Sequence, residues 1–232
     1  GCPCDPGGKI GSTMHPVNRF AATRCLFIVG AVLLAPSLAP AQWLNVPSAA
    51  IPRTPDGQPD LRAPTPRLSD GKPDLMGIWR STDNKFLRDL AADMNPDDVP
   101  YRPWAKALFD ARKNGAHSRE DPDAHCLPQG VPKIDAVAYP WKIIQTPISY
   151  VIVYETFTYW RQIFTDGRTV DPSAKPAWMG YSTGRWEGDT LVVTTTGFTG
   201  KSWLDQLGRP TTDKLRVTER FTRTHYGHMR ID

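Results

Sequence analysis

From residue 139 onward, apolar and polar positions alternate in short runs, the two-residue period of strands whose two faces differ. The clearest run is 178–198, WMGYSTGRWEGDTLVVTTTGF. Its first half predicts a strand, Gly188-Asp189 a tight hairpin turn, and Leu191 to Thr196 the return strand. Gly180 and Gly184 share one face, as expected where a strand bends or another backbone approaches. Upstream, the same period predicts strands at 143–144, 148–154 and 162–164, with a turn at 156–159. Asp166-Gly167 is expected to close the next hairpin, and residues 171–176 to connect it to Trp178. Downstream, Leu215, Val217, Glu219 and Phe221 fall on one face, and Arg216, Thr218, Arg220 and Thr222 on the other. After a turn at 224–227, His228 to Asp232 alternates again, with Met229 and Ile231 inward.

The front half has a different texture. Met76 to Trp79 predicts a first strand, followed by two helices. Phe86, Leu87, Leu90, Ala91 and Met94 recur at helical spacing between Asp83, a candidate N-cap, and Asn95-Pro96. The second helix starts with Pro103 and ends at Asn114-Gly115, with Trp104, Ala105, Leu108 and Phe109 as its apolar face. Both are short and are expected to lie on a sheet. Before them, PDGQPDL and SDGKPDL repeat one turn-forming unit fourteen residues apart. Loop carboxylates at Asp56, Asp60, Asp70 and Asp74 suit a hard cation such as calcium, but the Asp-x-Asp-x-Asp-Gly spacing is missing, so turns are the expected role.

Composition adds boundaries. The chain has 232 residues, 23 prolines that lie mostly before residue 141, and a net charge of +4. Arg and Lys intermingle with Asp and Glu, which gives no basic patch for nucleic acid. Met14, the basic Arg19 and Arg24, an apolar run from Cys25 to Leu38 and Ala39-Pro40-Ala41 together predict a secretory signal peptide cleaved after Ala41. The apolar run is too short for a transmembrane span, so no membrane association is expected after cleavage. The expected organisation is upstream sequence and signal peptide over 1–41, a Pro/Gly-rich arm over 42–75, and a β-rich domain over 76–232. That places the mature protein in the periplasm or outside the cell. Cys126 alone remains after cleavage, as a free thiol or one whose partner lies elsewhere. The last strand meets no turn or cap, so the reading frame is expected to continue, and an open edge there offers a route to self-association.

Candidate chemistry centres on Glu219, a carboxylate on an otherwise apolar strand face. Such a group is a strand-end side chain reaching water, an ion-pair partner of an arginine such as Arg161 or Arg185, or an acid with a raised pKa suited to general acid work. Aromatic residues crowd the segment from Tyr139 to Trp186, which serves either a thick core or the lining of a cavity. His225 and His228 form an H-x-x-H pair without an evident third ligand, so no metal is expected.

Four blocks resemble a group of secreted bacterial proteins: DGKPDLMGIW; CLPQGVP with WKIIQTP; RQIFTDGR with WMGYSTGRWEGDTLVVTTTGF; and LRVTERFTRTHYGHM. The resemblance implies secretion, further strand and a later cysteine beyond the last block, and no particular activity. Glu219, Arg220, Gly227 and His228 match the shared wording. Pro210-Thr211 departs from it, where a histidine commonly follows the proline, and so does His225, where an acid or amide is usual.

The expected fold is mainly β, an antiparallel barrel or strongly curved sheet of lipocalin-like character, with two short helices and the N-terminal arm. The first expected function is binding of a small apolar or aromatic molecule, with contacts from Tyr154, Arg161, Tyr181 and Trp186. The second is a cofactor-free hydrolase, lyase or isomerase in which Glu219 and His228 move protons. The third is an interaction module whose arm wraps a partner.

Overall fold

A computed structural model describes residues 51–232. The predicted signal peptide and the start of the arm lie outside the described residues. Eight strands form one curled sheet, a half-barrel, in the order of the chain. They are β1 (Gly77–Trp79), β2 (Trp141–Gln145), β3 (Ser149–Tyr154), β4 (Trp160–Phe164), β5 (Tyr181–Glu187), β6 (Thr190–Thr196), β7 (Val217–His225) and β8 (His228–Ile231). Between the first two lie helices α1 (Lys85–Arg88) and α2 (Pro103–Arg112). No helix among the described residues is long and apolar enough to cross a membrane.

Alternation sets the faces. Trp141, Ile143, Ile152, Tyr154 and Ile163 point into the core beside Leu191, Val193 and Phe221, whereas Lys142, Ile144, Val153 and Trp160 point outward. The concave side is filled by Leu75 and by Val131 and Ile134, which flank and enter a short 3-10 turn at Lys133–Ala136. Gly188-Asp189 forms the two-residue turn of the β5–β6 hairpin, with Glu187 opposite Thr190. Gly180 and Gly184 stand where the alternation placed them: a Cβ on Gly180 would lie 2.8 Å from the Thr196 carbonyl oxygen, and one on Gly184 3.1 Å from Ile163.

One pairing departs from the antiparallel expectation. Asp166-Gly167 does not close a hairpin; β4 and β5 run parallel, joined by the connection 165–180. Parallel neighbours need such a crossover, and the ladder here lasts only two residue pairs, Ile163 with Ser182 and Phe164 with Thr183.

The helices also differ from expectation. The first is a single turn. The Leu87 and Arg88 carbonyls, needed for its next hydrogen bonds, accept instead from the Gln206 and Leu207 amides at 3.0 and 3.1 Å. The Leu90 amide donates to Asp205 Oδ2 at 2.9 Å, so the chain leaves the helix there. Helix α2 forms as predicted but rests on the loop after β6 rather than on the sheet. Phe109 stacks on Tyr101 and under the Arg209 guanidinium, and Arg112 lies over Trp203.

The repeated units form one turn twice. In each, the amide of Thr54 or Leu68 donates to the carbonyl of Gln58 or Lys72 at 2.9 Å, and Gly57 or Gly71 takes a positive φ. The arm then docks on the sheet's own last hairpin. Amides of Tyr226 and Gly227 donate to the Ala63 and Leu61 carbonyls at 2.8 and 2.9 Å, and Thr65 Oγ1 donates to the Arg223 carbonyl at 2.9 Å. Buried Arg223 completes the joint. It donates to the carbonyl of Asp74 at 2.6 Å and to that of Tyr226, and lies near the rings of Trp79 and Tyr226.

The two kinds of positive-φ glycine give a contrast. Gly57→Ala, with open space around its Cβ, is expected to cost about 1 kcal/mol of left-handed strain. Gly180→Ala adds a backbone clash and is expected to cost roughly 2–5 kcal/mol, read from urea unfolding midpoints.

Candidate functional site

Strand β4 turns one arginine inward. Trp160 and Gln162 face out, Arg161 and Ile163 face the core, and Arg161 is 3% exposed. A guanidinium carries five N–H donors that must all find acceptors once water is excluded. Glu219 on β7 meets it with both oxygens, Nη1 donating to Oε1 at 3.0 Å and Nη2 to Oε2. Nε donates to Ser182 Oγ at 3.0 Å, and Nη2 also donates to Thr195 Oγ1 at 2.8 Å. Nη1 reaches Asp135 Oδ2 at 3.3 Å, and Tyr154 Oη donates to Asp135 Oδ1 at 2.6 Å. Strands β3 to β7 and the 3-10 turn thus each contribute one side chain to a single enclosed network.

The charges do not balance one to one, since two carboxylates face one guanidinium. Burial, then the negative charge of Glu219, pushes the Asp135 pKa up to about 8. Asp135 therefore keeps its proton at neutral pH, and Glu219 serves as the counter-ion. Burial and Asp135 hold the Tyr154 hydroxyl well above its ordinary value. Burial alone would lower the Arg161 pKa, but Glu219 more than offsets this and keeps the guanidinium charged. The network is closed: a neutral acid, an ion pair and three hydroxyls satisfy one another.

A cavity of about 420 Å³ opens beside it, where β4 and β5 part. Trp160, Phe164, Tyr181 and Met179 supply apolar walls, and the connection 165–180 contributes Arg168 and Asp171. Trp160 and Phe164 alternate with the core residues of β4, as Tyr181 does with Ser182 on β5, so the cavity lies on the face of the sheet opposite the core. The aromatic residues were expected to serve either a thick core or a cavity lining; Leu75, Val131 and Ile134 fill the concave side, and the space arises at the short parallel ladder. Arg161 and Ser182 border the cavity, which is how the network touches it.

The candidate residues divide accordingly. Tyr154, Arg161 and Glu219 come together in the network, and Tyr181 stands at the cavity, its hydroxyl donating to the Lys175 carbonyl at 2.8 Å. Trp186, five residues further along β5, points to the opposite face and packs edge-on to Tyr150. His228 is not brought to Glu219. It is exposed beside His225, about 20 Å along β7 from the carboxylate at strand rise. The separation gives no support to proton exchange between Glu219 and His228.

Sequence reasoning missed Asp135, Ser182 and Thr195. For Ser182 a signal existed, because Gly180, Ser182 and Gly184 form a face of small residues that leaves room for a long side chain from a neighbour. Asp135 gave none, since a 3-10 turn brings it in across the concave side. Cys126 is an exposed free thiol, and among the described residues no cluster of three or more His, Cys, Asp or Glu is arranged to hold a metal.

No family model, curated protein or solved structure matches this chain.

The raised Asp135 pKa has a definite sign in stability. The unfolded chain releases this proton near pH 3.8 and the folded chain near 8. Stability from the neutral acid is therefore complete below about pH 4 and is lost as pH rises through about 8. Asp135→Asn copies the neutral acid, so the variant is expected to have a higher Tm than the parent at about pH 9 and no advantage at about pH 4. Glu219→Ala leaves Arg161 without its counter-ion and is expected to cost roughly 3–5 kcal/mol in urea unfolding.

Proposed function

We propose that this chain is a secreted or periplasmic binding protein that holds a small apolar or aromatic molecule in the seam between β4 and β5. The observation that carries the reading is the seam itself: a cavity of about 420 Å³ with aromatic walls, where the hydrogen-bonded ladder lapses. That volume falls in the range of small-molecule sites, roughly 300–1,000 Å³. The closed network behind it supplies a rigid back wall, since Arg161 is held by five hydrogen bonds to four side chains. The signal-peptide pattern and the resemblance to secreted proteins support the compartment.

Binding is favoured over catalysis for a geometric reason. A general acid must come within hydrogen-bond reach of the atom it serves. Glu219 is committed to Arg161, and Asp135 and Tyr154 are enclosed behind it. The arm is a weaker candidate for wrapping a partner, because its described part is hydrogen-bonded to the chain's own β7–β8 hairpin.

The test is a titration of the full chain with N-phenyl-1-naphthylamine, a neutral aromatic probe, followed by probe fluorescence and by quenching of tryptophan emission. Saturable one-to-one binding is expected. Removing an aromatic wall in Phe164→Ala or Tyr181→Ala should weaken it about tenfold, the equivalent of roughly 1.5 kcal/mol of lost burial. No saturable binding by this probe or by a broader apolar panel would overturn the reading.

A further inference from the structure

The balance of charge around the seam narrows the ligand. Both guanidiniums that border the cavity already have carboxylate partners. Arg161 is engaged by both oxygens of Glu219. Arg168 Nε donates to the two oxygens of Asp166 at 3.0 Å each, and its Nη2 donates to Oδ2 at 2.6 Å. Arg161 cannot turn to an anionic ligand without leaving the buried Glu219 carboxylate unpaired, and the Arg168 charge is already matched by Asp166.

Asp171 is the exception. Its Oδ1 accepts from the Ser173 amide at 2.8 Å and from Ser173 Oγ at 2.7 Å. Its Oδ2 receives no hydrogen bond, and no Lys or Arg pairs with it, among the described residues. The Ser173 hydrogen bonds hold its pKa below the usual carboxylate range, so it is charged at neutral pH. The wall therefore carries one uncompensated negative charge.

The aromatic walls favour the same ligand sign. The Arg168 guanidinium lies 3.8 Å from the Phe164 ring centroid, so one wall already hosts a planar cation on its π face. Trp160, which is 62% exposed, and Tyr181 border the same cavity without such a partner among the described residues.

We propose that the seam selects an organic cation, an ammonium or amidinium group on an apolar or aromatic frame, with Asp171 Oδ2 as its counter-ion and the Trp160 and Tyr181 rings as its π surfaces. This rests on the binding reading above and adds the charge of the ligand. A carboxylate or phosphate ligand would meet Asp171, and both arginines that border the cavity already have carboxylate partners. A neutral ligand would use the rings alone.

Three probes with one frame test it on the full chain by calorimetry at neutral pH: 1-naphthylmethylamine, 1-naphthalenemethanol and 1-naphthoate. The amine is expected to bind at least about fivefold more tightly than the alcohol, the scale of one ion pair with cation–π support at a partly exposed site, and the naphthoate most weakly. In Asp171→Asn the preference for amine over alcohol should shrink to about twofold or less, the remainder coming from the rings. Asp171 is exposed, so the parent Tm is expected to be retained, and Asp171→Glu should recover part of the preference. Naphthoate binding as tightly as the amine, or an amine preference undiminished in Asp171→Asn, would overturn the cation inference while leaving a binding site in place. Failure of all three probes would overturn this inference together with the binding reading on which it rests.

Discussion

A buried guanidinium governs this structure. Arg161 has left water, and its donors have to be met inside the protein or the fold bears the full cost of desolvation. Meeting them requires Glu219, Ser182, Thr195 and Asp135 to arrive from four other parts of the chain, so the curl of strands β4 to β7 and the position of the 3-10 turn are tied to one planar group. A lysine could offer neither the fork nor the number of donors. The second carboxylate would upset the balance if it were ionised, and burial resolves this by keeping Asp135 protonated. The result is a polar centre that is electrically neutral and fully occupied, which suits a wall better than a reactive site.

A second arginine solves the same problem by another route. Arg223 has no carboxylate partner among the described residues and spends its donors on carbonyl oxygens of Asp74, Met76, His225 and Tyr226. Burial draws its pKa below the ordinary guanidinium value, consistent with a cation matched by dipoles rather than by a charge. Because the carbonyls of Asp74 and Met76 lie within three residues before β1, the group fastens the first strand to the last hairpin. The arm is thus part of the folded domain from Leu61 onward.

The cavity follows from topology. Antiparallel neighbours are zipped along their length, whereas the parallel pair β4 and β5 meets over two residues and then diverges. Side chains that would pack against a neighbour in a continuous sheet instead line a space, and the crossover needed to reverse the chain borders it. A rigid network behind and a chemically distinct connection in front are a common arrangement for sites, because the first holds shape and the second sets specificity. The charges differ in the same way: Arg161 is paired with Glu219, whereas Asp171 has no cationic partner among the described residues.

Much of the strand plan was legible from the chain alone. The period of two identifies β2 to β8 to within a few residues, the inward set of Glu219 and Phe221, and the turn at Gly188-Asp189. These are local properties, in which each residue's face follows from its neighbours. The sequence also marked Glu219 as anomalous and offered Arg161 as its partner. What alternation could not convey is which strands lie side by side and in which direction. The parallel step between β4 and β5, the cavity on the outer face and the capture of the first helix by residues 205–207 all depend on contacts between distant segments. Asp135 reaches Arg161 across 26 residues and Glu219 across 58. Their meeting is decided by the need to satisfy one buried cation, a demand that exists only once the chain has closed around it.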